Sequence, residues 1–134
     1  MATATRASLF ALAVAVVGVA LAADVDPEHL AAAKLKNPQP ADAASIAAGK
    51  AAYEKGCFAC HGADGKGAAT IGYLKPAPDL TDDTWAYGGS DGEIFDSIKN
   101  GVPPAYNMEG WGERLDDTTI WNLVNYVRSL KKGA

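Results

Sequence analysis

Two cysteines and a histidine stand within five residues of one another and carry the strongest chemical signal in the chain. Cys57, Cys60 and His61 are arranged as C-x-x-C-H, and the chain has no other cysteine. A disulfide between the two thiols would close a loop of about four residues and would constrain the unfolded chain very little. The spacing instead suits two thiols that add to the vinyl groups along one edge of a haem, with the histidine placed beneath the iron.

Two other uses of a C-x-x-C pair fit the sequence less well. A thioredoxin-like dithiol belongs to a βαβ unit, and no alternating strand pattern is readable in the chain. A structural zinc site needs four ligands, and beyond the C-x-x-C-H motif only His29 remains as a cysteine or histidine. We therefore expect one covalent haem c, held by Cys57 and Cys60 as thioethers, with His61 as an iron ligand.

Three helical segments frame the motif. The first is rich in alanine, the second begins with the capping-box pattern Ser90 to Glu93, and the third carries an apolar stripe at helical spacing. The predicted helices cover residues 42–55, about 91–100 and about 117–131, the last capped by Asp116 or Asp117. The sequence thus predicts an all-α domain of about three to four helices.

Long loops separate these helices, at residues 62–72 and 102–112, and both contain several glycines or prolines. Roughly 90 residues of which about half are loop bury little apolar surface by themselves. Loops of this length are uncommon in compact domains unless they are functional. A large apolar cofactor at the centre would supply the missing core.

The N-terminal segment predicts export. Arg6 precedes an unbroken apolar run from Leu9 to Leu21, and Ala20-Leu21-Ala22 offers the small-x-small pattern of a cleavage site. We expect a signal peptide over residues 1–23, a flexible tether over 24–41 and a folded domain over 42–134. An uncleaved membrane anchor is the alternative for the first segment. Either way the domain would lie in the periplasm.

The charge balance bears on partners. The formal net charge is −4, and loss of Arg6 with a leader would make it about −5. Nucleic-acid binding needs clustered Lys and Arg to neutralise phosphates, so we expect no nucleic-acid partner. Membrane contact is expected only if the leader is retained.

The region from residue 42 to 130 resembles the class I c-type cytochromes of the bacterial monohaem type. Gly49 and Tyr53 precede Cys57 at four-residue intervals, as in the N-terminal helix of that family. The segment Pro78-Asp79-Leu80 resembles the family's Pro-x-Leu, and Met108 lies in a loop before a C-terminal helix. The resemblance implies a cytochrome c fold in which Gly49 lets the first and last helices approach closely.

Two further site residues follow from the resemblance. In the family a proline carbonyl accepts a hydrogen bond from the iron-ligating histidine, and Pro78 is the best match here, with Pro76 as the second choice. Met108 is the only methionine beyond Met1 and matches the family's second iron ligand. Four aromatic residues are left without an assigned role, as pocket lining or plain packing: Trp85, Tyr87, Tyr106 and Trp111.

The sequence thus predicts a monomeric, non-enzymatic electron carrier with a His/Met-ligated haem. A neutral thioether ligand favours reduced iron and leaves no open position for oxygen or peroxide. The expected partners are redox proteins: a dehydrogenase, an oxidase or another cytochrome. The alternative is a haem enzyme, gas-binding protein or sensor in which Met108 is displaced from the iron.

Overall fold

The computed structural model describes residues 27–67, 76–102 and 108–131. These ranges are mostly helical and contain one antiparallel pair of two-residue strands. In chain order the elements are α1 (Pro27–Ala32), α2 (Ala43–Gly56), α3 (Phe58–His61), α4 (Asp91–Asn100), β1 (Gly101–Val102), β2 (Met108–Glu109) and α5 (Asp117–Leu130). The helical class is confirmed, and the small strand pair is an addition that the sequence pattern did not predict.

The helix boundaries follow from side chains that cap the first turns. Asp42 and Asp116 each accept a backbone N–H of the following helix, at 2.8 Å in α2 and 2.7 Å in α5. Ser90 and Glu93 form the predicted capping box at the start of α4, and Gly101 ends that helix with a φ of 82°. Caps of this kind satisfy N–H groups that have no partner within the helix.

The core lies where α2 packs against α5 and is extended by α4. Among the described residues, the largest side chains with less than 2 % exposure are Tyr53, Ile120, Leu123 and Val124. Phe95 of α4 stacks on Trp121 of α5 with ring centroids 4.0 Å apart, and Tyr53 meets Tyr126 edge-on at 5.1 Å. The apolar stripe of α5 therefore faces both other long helices, as its spacing predicts.

Gly49 is the point where the backbones of α2 and α5 touch. A Cβ at this position would overlap the Asn122 carbonyl oxygen and lie 2.8 Å from the Tyr126 Cβ. Neither neighbour is a flexible side-chain end that can swing away. The close approach inferred from the family resemblance is therefore present.

Residues 27–40 differ from the predicted flexible tether. α1 packs on α4 and buries Ala32, and the Asn37 amide donates to the Trp121 carbonyl at 3.1 Å and to the Asn125 side chain at 2.9 Å. The Asn125 amide in turn donates to the Pro40 carbonyl at 3.0 Å. These polar contacts reach across more than 80 residues of sequence, so periodicity within the segment gives no sign of them.

The start of the chain lies outside the described residues. The predicted signal peptide or anchor over residues 1–23 therefore stays a prediction. Among the residues that the structure describes, no helix is both long enough and apolar enough to cross a bilayer.

We predict that Gly49→Ala lowers the free energy of unfolding by about 1–3 kcal/mol, because the added methyl group must push α2 away from α5. Intrinsic helix propensity alone would favour alanine by about 1 kcal/mol. The control is Ala47→Leu, which enlarges an exposed side chain of the same helix. Urea denaturation of the haem-loaded protein measures both variants. Stabilisation by Gly49→Ala would show that the helices do not touch there.

A second prediction concerns pH and the docking of α1. Both ring nitrogens of His29 face acceptors, the Asp96 carboxylate at 2.7 Å and the Tyr87 carbonyl at 2.5 Å. Burial lowers the pKa of His29, but these hydrogen bonds and the charges of Asp96 and Glu93 outweigh it and raise the pKa above 6.5 overall. Only the protonated ring can donate to both acceptors.

Because the folded protein binds this proton more tightly, the stabilisation is complete below pH 6.5 and is lost as the pH rises through the raised value. We expect the difference in unfolding free energy between wild type and His29→Gln to shrink, by at most about 1 kcal/mol, as the pH is raised from about 5 to about 9. A difference that does not change with pH would contradict the ion pair.

Candidate functional site

The C-x-x-C-H motif lies where α2 passes into the single turn of α3. The Cys57 N–H donates to the Tyr53 carbonyl at 2.8 Å, and the His61 N–H donates to the Cys57 carbonyl at 3.0 Å. Continuous helical turns therefore carry the motif, and residues four apart in a helix share a face. Cys57, the residue before α3, and His61 are therefore placed one turn apart on one side of this helical segment.

Both thiols are free, and their surroundings differ. Cys57 is partly buried against the core, whereas Cys60 is exposed. Burial, followed by the neighbouring Cys60, raises the pKa of the Cys57 thiol to about 11. The two thiols are not joined by a disulfide.

His61 is buried and has one ring nitrogen held by the backbone. Its Nδ1 lies 3.3 Å from the Pro78 carbonyl oxygen, so of the two candidate prolines Pro78 is the one that His61 contacts. Burial lowers the pKa of His61, and the hydrogen bond to Pro78 only partly opposes this. The ring is therefore neutral at pH 7, with Nδ1 as the donor and Nε2 as the nitrogen that can ligate a metal.

Three hydrogen bonds hold the loop that follows the motif. The Tyr53 hydroxyl donates to the Gly62 carbonyl at 2.7 Å. The Gly67 N–H donates to the His61 carbonyl at 2.8 Å, and the Leu80 N–H donates to the Gly65 carbonyl at 2.7 Å. The sequence placed Tyr53 in the family's helix pattern, but the role of its hydroxyl is the part of this site that sequence reasoning missed. The feature that indicates this bond is a tyrosine at a buried helix position, because a buried hydroxyl needs a hydrogen-bond partner.

Met108 is placed in β2, opposite Val102 of β1. Its side chain is partly buried and packs against the hydrophobic core, as do those of Cys57 and Leu80. The strand pair thus brings the predicted second ligand to the same apolar cluster that borders the motif.

The aromatic residues to which the sequence assigned no role have different surroundings. Trp85 and Trp111 pack against the core, and the Trp111 ring lies over Gly56 at the end of α2. Tyr87 is half exposed and contributes its carbonyl to His29. Tyr106 lies outside the described residues.

The donor set suits covalent haem attachment better than a zinc ion. The site supplies two unbridged thiols on one helical turn and a neutral imidazole with its outer nitrogen already engaged. His29, the remaining candidate for a zinc ligand, is bound to Asp96 of α4. Within the described ranges, no group of three or more His, Cys, Asp or Glu side chains is arranged to hold a metal ion by itself.

Comparison with known proteins assigns the family. Residues 44–127 match the sequence profile of cytochrome c oxidase, cbb3-type, subunit III. The chain belongs to this family of c-type cytochromes. Haem c with its iron, bound covalently, is accordingly the cofactor of the cytochrome domain.

Individual relatives agree with this assignment. The chain is 39% identical over 97 residues to the cbb3-type cytochrome c oxidase subunit CcoP of Azospirillum brasilense, which covers 72% of this chain and 32% of the relative. It is 41% identical over 87 residues to the cbb3-type cytochrome c oxidase subunit FixP of Bradyrhizobium sp. (strain ORS 278). This match covers 65% of this chain and 28% of the relative. The cytochrome domain therefore spans about a third of the length of the curated relatives it matches.

A solved structure supports the fold. Cytochrome CL from the marine methylotrophic bacterium Methylophaga aminisulfidivorans MPT superposes with a TM-score of 0.57 and 26% sequence identity. The match covers 72% of this chain and 58% of that one. The cytochrome c fold expected from the sequence is confirmed.

Proposed function

We propose that the cytochrome domain is a single-electron carrier that works in the periplasm with one haem ligated by His61 and Met108. The observation that carries the proposal is the contact between His61 Nδ1 and the Pro78 carbonyl at 3.3 Å, made by the histidine that follows the two free thiols. A hydrogen bond on the outer nitrogen fixes the tautomer and the orientation of a metal-binding imidazole. Haem iron, when bound, supplies a centre that gains or loses one electron.

In this proposal each residue of the motif has a separate task. Cys57 and Cys60 form thioethers, which prevent loss of the cofactor in an exported protein. His61 ligates through Nε2, and its burial keeps the ring neutral and available as a ligand. Phe58, which lies between the two cysteines, is about half exposed.

Met108 completes the ligand set as a soft, neutral donor. A thioether in place of a second histidine raises the reduction potential. Its strand partner Val102 and its packing against the core restrict the movement of its side chain. With His61 and Met108 both holding the haem iron, no position would remain open for oxygen or peroxide, and the site would favour electron transfer.

The partners are proposed from chemistry and from the relatives. Both named relatives are oxidase subunits, so an oxidase is the first candidate to accept or donate electrons. A dehydrogenase or another cytochrome is the further possibility. The net negative charge predicts docking to a basic surface that weakens as salt is added. In this proposal the domain is a monomer that acts as carrier and has no enzymatic reaction of its own.

We predict that Cys57→Ala and Cys60→Ala each leave haem attached by one thioether at most, and that the double variant retains none after denaturing electrophoresis. Haem staining of the gel measures the attachment. The exposed Ser129→Ala variant serves as a control for expression and export. Full staining of the double variant would show that other residues hold the haem.

The ligand role of Met108 predicts a specific spectroscopic change. In Met108→Ala the oxidised protein should lose the weak long-wavelength charge-transfer band of methionine-ligated iron(III), and the reduced protein should bind carbon monoxide. Absorption spectra of wild type and variant measure both properties. Glu109→Ala, which alters the next residue of the same strand, should behave as wild type. Rapid binding of carbon monoxide by wild type would instead favour the haem enzyme, gas-binding or sensor function.

A further inference from the structure

The Pro78 carbonyl that holds His61 belongs to a segment without regular secondary structure. Residues 76–84 contain no helix or strand, and Pro78 itself is exposed. The separation of 3.3 Å from His61 Nδ1 is slightly longer than most N–H···O hydrogen bonds, which fall between about 2.7 and 3.2 Å. A small displacement of this carbonyl would therefore break the contact, so something must hold it in place.

The chain before Pro78 is held by the loop after the motif. Gly67 has a φ of 84°, and a Cβ there would overlap the Ala77 carbonyl oxygen. The Gly67 N–H also donates to the His61 carbonyl at 2.8 Å. The residue preceding Pro78 therefore rests on a backbone that is itself tied to His61.

The chain after Pro78 is held by a side chain. The Asp79 carboxylate accepts the Thr81 N–H at 2.7 Å and the Thr81 hydroxyl at 2.7 Å. This is an Asx turn, in which an aspartate fixes the backbone of the two residues that follow it. The enclosed residue, Leu80, donates its own N–H to the Gly65 carbonyl at 2.7 Å.

We propose that Asp79 is a positioning residue: its turn with Thr81 fixes the peptide group that follows Pro78, and so holds the Pro78 carbonyl on His61 Nδ1. The inference rests on the proposed role of His61 as an iron ligand. An acceptor on the outer nitrogen makes the imidazole a better electron donor and stabilises oxidised iron. Loss of the turn should weaken this hydrogen bond and shift the midpoint potential to more positive values.

The chain provides a matched control three residues further on. The Asp82 carboxylate accepts the Thr84 N–H at 2.8 Å, which is the same kind of turn on an exposed part of the same segment. Asp79→Ala and Asp82→Ala therefore each remove one carboxylate and one Asx turn. Only Asp79 directly follows the carbonyl that contacts His61.

The experiment compares hydrogen exchange of the His61 Nδ1–H by NMR in the reduced, haem-loaded proteins. We expect exchange to be about fivefold to tenfold faster in Asp79→Ala than in wild type, and within about twofold of wild type in Asp82→Ala. The midpoint potential should be more positive in Asp79→Ala than in Asp79→Asn, because both variants lose the same charge at the same position and only the first loses the acceptor oxygen of the turn.

Three further variants separate the effect of the turn from the effects of charge and of general stability. Asp79→Asn keeps an acceptor oxygen and should restore nearly wild-type exchange, whereas its charge is lost. Thr81→Val removes the hydroxyl donor and should accelerate exchange more than Thr84→Val does. This second pair keeps the test decisive if Asp79→Ala does not fold.

Equal exchange rates in both members of both pairs would overturn the positioning role, even if Asp79→Ala is less stable. The proposed function fails in a different way. If the His61 ring signals of wild type show no haem-induced shift, His61 does not ligate the iron and the ligand assignment itself is wrong. A shifted His61 signal with no effect of Asp79 rejects only the inference about the turn.

Discussion

The contact between α2 and α5 at Gly49 is the constraint on which the rest of the domain depends. Because no side chain separates the helices there, Tyr53 lies one turn further along α2 in the most buried part of the core. Its ring meets Tyr126 while its hydroxyl reaches out of the core to the Gly62 carbonyl. The helix contact thus fixes both the start and the end of the C-x-x-C-H motif, since Cys57 follows four residues after Tyr53 and Gly62 directly follows His61.

Electrostatics and packing act together at His61. Burial of an imidazole disfavours its charged form, which is why the pKa of this ring is lowered. The same burial would be costly for a polar ring without a partner, and the Pro78 carbonyl supplies one. The result is a neutral histidine with one defined donor nitrogen, which is the form that a metal requires. His29 shows the opposite outcome, because its two acceptors favour the charged ring.

Patterns within a few residues of one another were sufficient to predict the three long helices and to identify the C-x-x-C-H motif. The capping box at Ser90 and the aspartate cap at Asp116 act within one helical turn, so the sequence determines them directly. Gly49 and Pro78 were found through resemblance to a family, since their roles depend on residues that are distant in sequence. The ligand role of Met108, likewise taken from the resemblance, stays a prediction.

The N-terminal segment shows why the remainder could not be predicted. Its prolines and its lack of period are typical of a linker, and α1 has only six residues. Besides the packing of α1 on α4, polar side chains order the segment through hydrogen bonds to groups distant in sequence, with Asn125 of α5 at the centre. Asn125 is buried within the apolar stripe of its helix, and a buried amide must find partners. Here the Pro40 carbonyl of the segment and the Ser45 hydroxyl of α2 serve as those partners. A polar residue within the apolar stripe of a core helix is therefore a sequence feature that indicates a docked segment.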